Sequence, residues 1–108
     1  MIINKEKAIE IAKQFAVRVR DEIDKNAIVY LFGSTSRDEA HEKSDIDIAV
    51  ISSVFTDDVV NNRVSLMLIG YEIVENIEPH PILLSDWQKG YNFLSSEVRR
   101  DGITTWRL

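Results

Sequence analysis

Two apolar runs bracket a glycine turn and a polar loop, and their order leaves few folds open to this chain. Ile28–Phe32 runs straight into Gly33-Ser34; ten residues later comes Asp45-Ile46-Asp47, and Ile48–Ile51 continues as a second apolar run. A continuous apolar stretch with β-branched and aromatic residues is the pattern of a buried strand, so Ala27–Phe32 (AIVYLF) is expected to be one, stopped by Gly33. In the second run Ile46, Ile48 and Val50 alternate with Asp45, Asp47 and Ala49. That alternation gives a strand with one face toward a core and an acidic face toward a cleft. Asp45 and Asp47 then point the same way, with carboxylates roughly 6–7 Å apart, close enough to hold a divalent metal between them. Two carboxylates side by side are unfavourable unless a cation accompanies them. The Gly-Ser turn presents bare backbone N–H groups that a phosphate can approach. Together these parts imply a magnesium-dependent nucleotide site.

The rest of the chain supplies helices. Asn4 can cap a helix starting at Lys5, in which Ile9, Ala12, Ala16, Val19 and Ile23 recur at three- and four-residue spacing, widened by Ile11 and Phe15. That helix should end near Lys25-Asn26. Residues 35–44 are polar and read as a loop. Asp57-Asp58 suit the first turn of a second helix, where the macrodipole favours anions, and Val60, Val64, Met67, Tyr71 and Val74 mark its expected buried stripe to about Asn76. Glu78-Pro79-His80-Pro81 cannot be helix interior, so a third, short strand is expected at Ile82-Leu83-Leu84. Ser85-Asp86-Trp87-Gln88 fits a capping box, a last helix is expected over about Tyr91 to Arg100 with Leu94 and Val98 inward, and Gly102 should stop it. Ile103–Trp106 has strand composition. The layout is a small α/β (α+β) fold, a mixed sheet flanked by helices, read as a single domain over 1–108.

Composition narrows the function classes. The net charge is −5, against general nucleic-acid binding, which needs a basic face, but compatible with nucleotide binding if metal ions supply the positive charge. With no cysteine, disulfides and thiolate zinc sites are excluded, and His41 and His80 are too far apart in sequence for a metal-ligand spacing. No signal-peptide pattern occurs and no apolar run approaches the ~18 residues of a membrane span, so a cytoplasmic protein is expected. A chain of 108 residues with a long polar loop has little room for a complete substrate pocket. A partner chain or a homodimer is expected to complete it.

An Asp-x-Asp or a Gly-Ser alone is common. Their conjunction here, G33-S34, ten residues and D45-I46-D47 between two apolar strands, resembles the signature of the DNA polymerase β-type nucleotidyltransferase superfamily. The wording S-D-I-D-I-A-V and the length resemble its minimal nucleotidyltransferase (MNT) domains. The resemblance implies a polymerase β-like palm fold and a set of roles. Gly33 and Ser34 would hold the triphosphate of ATP, and Asp45 and Asp47 would bind one or two Mg²⁺ ions. A hydroxyl would then attack the α-phosphorus. No G-x-x-x-x-G-K-[ST] occurs, which separates this chemistry from that of P-loop enzymes. Arg37, three residues after Ser34, either meets a phosphate or is solvated; His41 reads as exposed.

The resemblance also implies a setting, the paired HEPN/MNT toxin–antitoxin systems, in which the MNT protein is the antitoxin and adenylylates a tyrosine of its HEPN ribonuclease partner. Active relatives add a third acid from a later strand, and the equivalent position here falls at His80. Glu78 has the same strand parity and could reach the cleft if residues 78–84 are extended; Asp86 shares it but lies beyond the strand. Two alternatives therefore stand beside adenylylation: an antitoxin with a weakened site that neutralises its partner by binding alone, and a small-molecule nucleotidyltransferase working as a homodimer. Trp87, Tyr91, Phe93 and Trp106 are expected mostly in core or interface packing rather than base stacking.

Overall fold

A computed structural model of the chain describes residues 4–37, 45–90 and 93–106. Helix α1 (Lys5–Glu22) begins where Asn4 accepts a hydrogen bond from the Lys7 amide at 2.8 Å, so the expected cap is present. It ends three to four residues before the expected point, at Ile23, whose N–H donates to the Val19 carbonyl. Ala8, Ile11, Ala12, Phe15, Ala16 and Val19 are buried along one side. Strands β1 (Ile28–Phe32) and β2 (Ile46–Ser52) pair antiparallel, with Phe32 opposite Asp47 and Ile28 opposite Ile51.

Helix α2 (Val59–Ile73) is capped by Asp58, whose side chain accepts from the Asn61 amide at 3.0 Å. Strand β3 (Ile77–Leu83) follows and runs parallel to β2, and α3 (Leu84–Lys89), α4 (Phe93–Asp101) and β4 (Ile103–Trp106) complete the chain. The sheet order is β3-β2-β1-β4, with β4 antiparallel to β1. Ile46, Ile48, Val50, Val29, Leu31 and Ile77 face α1 and α2 in the larger core. Phe32, Ala49, Ile51 and Ile82 face Trp87 of α3 and Val98 of α4 in the smaller one. Among the described residues no helix is long and apolar enough to cross a membrane.

Three further expectations need correction. The buried stripe of α2 is Leu66, Ile69 and Gly70, with Ile73 and Val74 packed beside it, whereas Val60, Val64 and Tyr71 are exposed and Met67 is half-buried. Both sides of this helix are apolar, so spacing alone cannot choose between them. Gly70 decides it: with no side chain it lets the helix lie against Ile77 and Phe15, where an added Cβ would stand 3.3 Å from Ile77 Cγ2.

Strand β3 starts five residues earlier than expected and contains both prolines. Proline lacks a ladder donor and is confined to edge strands, and β3 is an edge. Pro79 and Pro81 share a parity, so both missing donors fall on the free side. Helix α3 opens on Leu84 directly from β3 with no side-chain cap, so Ser85 lies inside its first turn rather than at the cap. Helix α4 is described from Phe93; Val98 is buried as expected, Leu94 partly, and Gly102 follows the helix with its N–H donating to the Val98 carbonyl at 2.7 Å. Tyr91, like His41, lies outside the described residues.

Candidate nucleotidyltransferase site

The acidic cluster forms where the parallel strands β2 and β3 begin. Their register sets Asp47 beside Glu78 and Ala49 beside His80. Alternation puts all four on the sheet face that carries the smaller core. Asp47 and His80 meet directly, with His80 Nε2 3.1 Å from Asp47 Oδ1, and Nε2 lies 4.0 Å from Glu78 Oε1. The Phe32 ring meets the imidazole edge-on, 5.2 Å between centroids. One ligand atom from each of Asp47, Glu78 and His80 lies within 4.8 Å of the others.

Asp45 stands one residue before β2 and is exposed. Its carboxyl hydrogen bonds with that of Glu78, which pushes its pKa above the usual aspartate range, with burial and the Glu78 charge adding to the shift. Two carboxyls side by side disfavour a second negative charge unless a cation accompanies them. Arg63, reaching round the sheet edge from α2, donates to Glu78 Oε1 at 3.2 Å.

Gly33 closes the other wall. It has φ +76°, and a Cβ on it would overlap the Asp47 carboxylate, standing 3.1 Å from Asp47 Cγ. The turn is held by the Ser36 hydroxyl and amide, both donating to the Gly33 carbonyl at 2.7 and 3.1 Å, and by the Arg37 amide donating to the Ser34 carbonyl. Ser34 is half-buried. The structure therefore brings Gly33, Ser34 and Asp47 to one place. Arg37 is exposed, as the solvated reading expects, and its guanidinium also pairs with Asp101 at the end of α4, at 2.8 Å. Asp86 lies on α3, exposed and outside this cluster.

The late aromatics divide. Trp87 is packed against Tyr30, 5.5 Å between ring centroids, with the Arg99 guanidinium 3.8 Å above its ring, whereas Phe93 is 84% exposed. Two pairings left no trace in the pattern of residues. Arg63 precedes Glu78 by a helix and a turn with no periodicity linking them, and the Arg37–Asp101 pair joins residues 64 positions apart.

A glycine turn thus lies against an aspartate of the neighbouring strand, with an acid one strand further on. The nucleotidyltransferase-domain family matches residues 12–101. This chain belongs to that family. Comparison with curated proteins gives no match. Among solved structures, a toxin–antitoxin complex with AMP-PNP is similar with TM-score 0.63 and 26% identity over 98% of this chain and 75% of that one. A doubly substituted MntA–HpeT toxin–antitoxin, aspartates replaced by glutamates, gives 0.61 and 25% over the same shares. A protein from Sulfolobus solfataricus described as a candidate nucleotidyltransferase gives 0.64 at 19% identity, over 95% of this chain and 83% of that one, a likeness of fold alone.

Proposed function

We propose that this chain is an MNT-type antitoxin that transfers AMP from ATP to a tyrosine hydroxyl of a HEPN-type toxin encoded beside it. The observation that carries this reading is the contact of Gly33 with Asp47. One residue supplies bare backbone for phosphates and the other a carboxylate for a cation, and each is shaped to the other. The likeness to a toxin–antitoxin with AMP-PNP supports both the nucleotide and the setting.

The residues present fit a divalent ion. Ligand atoms of Asp47, Glu78 and His80 lie within 4.8 Å of one another, and the raised pKa of Asp45 beside Glu78 marks negative charge that a cation would offset. Asp45 and Asp47 would hold Mg²⁺ with the nucleotide, and Glu78 would be the third acid. A bound divalent ion would supply positive charge to the phosphates and lower the pKa of the acceptor hydroxyl. Gly33 and Ser34 would orient the triphosphate through N–H groups and the serine hydroxyl. The phenol oxygen would bond to the α-phosphorus as the bond to the β-phosphate oxygen breaks and pyrophosphate leaves. Glu78, half-exposed in the cleft, would accept the phenol proton.

The test is intact-mass analysis of the neighbouring gene product after incubation with this chain and MgATP. A gain of one AMP on a tyrosine, absent with Asp45→Ala or Asp47→Ala, supports the transferase. Inhibition of the partner with no change in mass, unaffected by either substitution, would assign neutralisation by binding alone. AMP transferred to a small-molecule hydroxyl by a homodimer, with no partner required, would assign the small-molecule reading.

A further inference from the structure

The cleft departs from an all-carboxylate site at one position, and the departure has a chemical consequence. Resting on the nucleotidyltransferase reading above, we propose that the ion position bounded by Asp47, Glu78 and His80 takes a divalent first-row transition ion in preference to Mg²⁺, with His80 Nε2 as a direct ligand.

The distances fit a single ion. Two ligands each about 2.1 Å from one centre stand about 3.0 Å apart when adjacent in an octahedron and about 4.2 Å apart when opposite. His80 Nε2 is 3.1 Å from Asp47 Oδ1 and 4.0 Å from Glu78 Oε1, one value near each limit. All three ligand atoms lie within 4.8 Å of one another, so a small approach of the side chains completes the set.

The imidazole is set in place by its surroundings. The register puts Ala49 beside His80, and its methyl group leaves room for the ring to lean toward Asp47. The Phe32 ring meets the imidazole at 65° and limits its swing. The side chain of His80 is only 19% exposed, so a ligand role needs little further ordering.

The donor set then selects the ion. Imidazole nitrogen suits transition ions, which bind it increasingly well along the first row, whereas Mg²⁺ holds oxygen donors and retains its waters. Where a third carboxylate would add charge, His80 adds none. Arg63 lowers the field further by pairing with Glu78. Both features weaken the electrostatic attraction on which Mg²⁺ depends, while the nitrogen bond to a transition ion is retained.

Mn²⁺ titrated into the nucleotide-free chain, followed by electron paramagnetic resonance with spin-echo detection of nitrogen coupling, tests this directly. The expected result is nitrogen coupling in the wild-type chain that disappears in His80→Ala. That substitution should weaken Mn²⁺ severalfold and Mg²⁺, measured by competition, by a smaller factor. His80→Asp should shift the preference toward Mg²⁺, and circular dichroism should show both variants folded. Mn²⁺ affinity unchanged by His80→Ala, with no nitrogen coupling in the wild type but binding lost in Asp47→Asn, would overturn the ligand role and leave the transferase reading standing. Mn²⁺ binding undiminished in both Asp47→Asn and Glu78→Gln would remove the site itself, and with it both readings.

Discussion

Gly33 and Asp47 occupy each other's space: the aspartate carboxylate lies where a side chain on the glycine would be, and the glycine backbone has φ +76°. The two requirements act together. A left-handed backbone disfavours any side chain by about 1–3 kcal/mol, and here the overlap with the carboxylate adds to that.

Gly33→Ala should therefore lower stability by at least about 1–3 kcal/mol and displace the Asp47 carboxylate, weakening divalent-ion binding as well. A double-mutant cycle separates the two causes. Combined with Asp47→Ala, the glycine substitution should lose part of its effect, because the overlap is relieved while the backbone strain remains. Strict additivity in urea denaturation would mean that the two residues do not constrain each other.

Asp45 and Glu78 give a pH-dependent prediction. The folded-state pKa of Asp45 is raised, chiefly by its hydrogen bond with Glu78. The sign follows from linkage. A raised carboxyl pKa contributes stability that is fully present below the ordinary aspartate pKa of about 3.9 and is lost as pH rises through the raised value. Above it, in metal-free protein, the two carboxylates repel. Asp45→Asn should raise the melting temperature at pH 7 in the presence of a chelator, and the gain should vanish as pH falls below about 4. A saturating divalent ion should reverse the order at pH 7, because it stabilises the wild-type carboxylate. A melting-temperature difference that is flat from pH 4 to pH 7 would contradict the raised pKa of Asp45.

Much of this site was legible because strand alternation is a rigid rule. Asp45, Asp47, Glu78 and His80 are assigned to one face by parity, and the register places Asp47 beside Glu78. The length of β3 was hidden by Pro79 and Pro81, which argue against a strand until it is known to be an edge with its missing donors turned outward. Arg63 had no signal at all, since its contact with Glu78 depends on how α2 is rolled against the sheet. That roll was illegible for the same reason as the buried stripe. Val60, Val64, Leu68 and Tyr71 make as regular a pattern as Leu66, Ile69 and Ile73, and only the close approach permitted by Gly70 distinguishes them.

Arg63→Ala tests the outer contact of the cluster. The Arg63–Glu78 pair is substantially exposed, 44% and 37% for the two side chains, so its loss should change metal-free stability by less than about 1 kcal/mol. Its effect on ion binding should be larger in relative terms and opposite in sign. Removing a cation beside Glu78 raises the negative potential, so Mg²⁺ and Mn²⁺ should both bind more tightly, and most so at low ionic strength. Isothermal titration at two salt concentrations measures this. Weaker binding of both ions would show that Arg63 acts by holding Glu78 in position rather than by its charge.

The orientation of α2 makes the sharpest stability contrast. Leu66 is fully buried and Leu68, two residues on, is 62% exposed. Truncating a buried leucine removes its transfer free energy and leaves a cavity, so Leu66→Ala should lower unfolding free energy by about 2–5 kcal/mol. Leu68→Ala deletes a side chain that is mostly in water already and should stay within about 0.5–1 kcal/mol of wild type. Val60→Ala and Val64→Ala should behave like Leu68→Ala, against the alternative stripe that spacing equally allows. Equilibrium urea unfolding of the four variants decides between the two orientations. A large loss for Val64→Ala with a small one for Leu66→Ala would require the helix to be rolled the other way, which would also carry Arg63 away from Glu78.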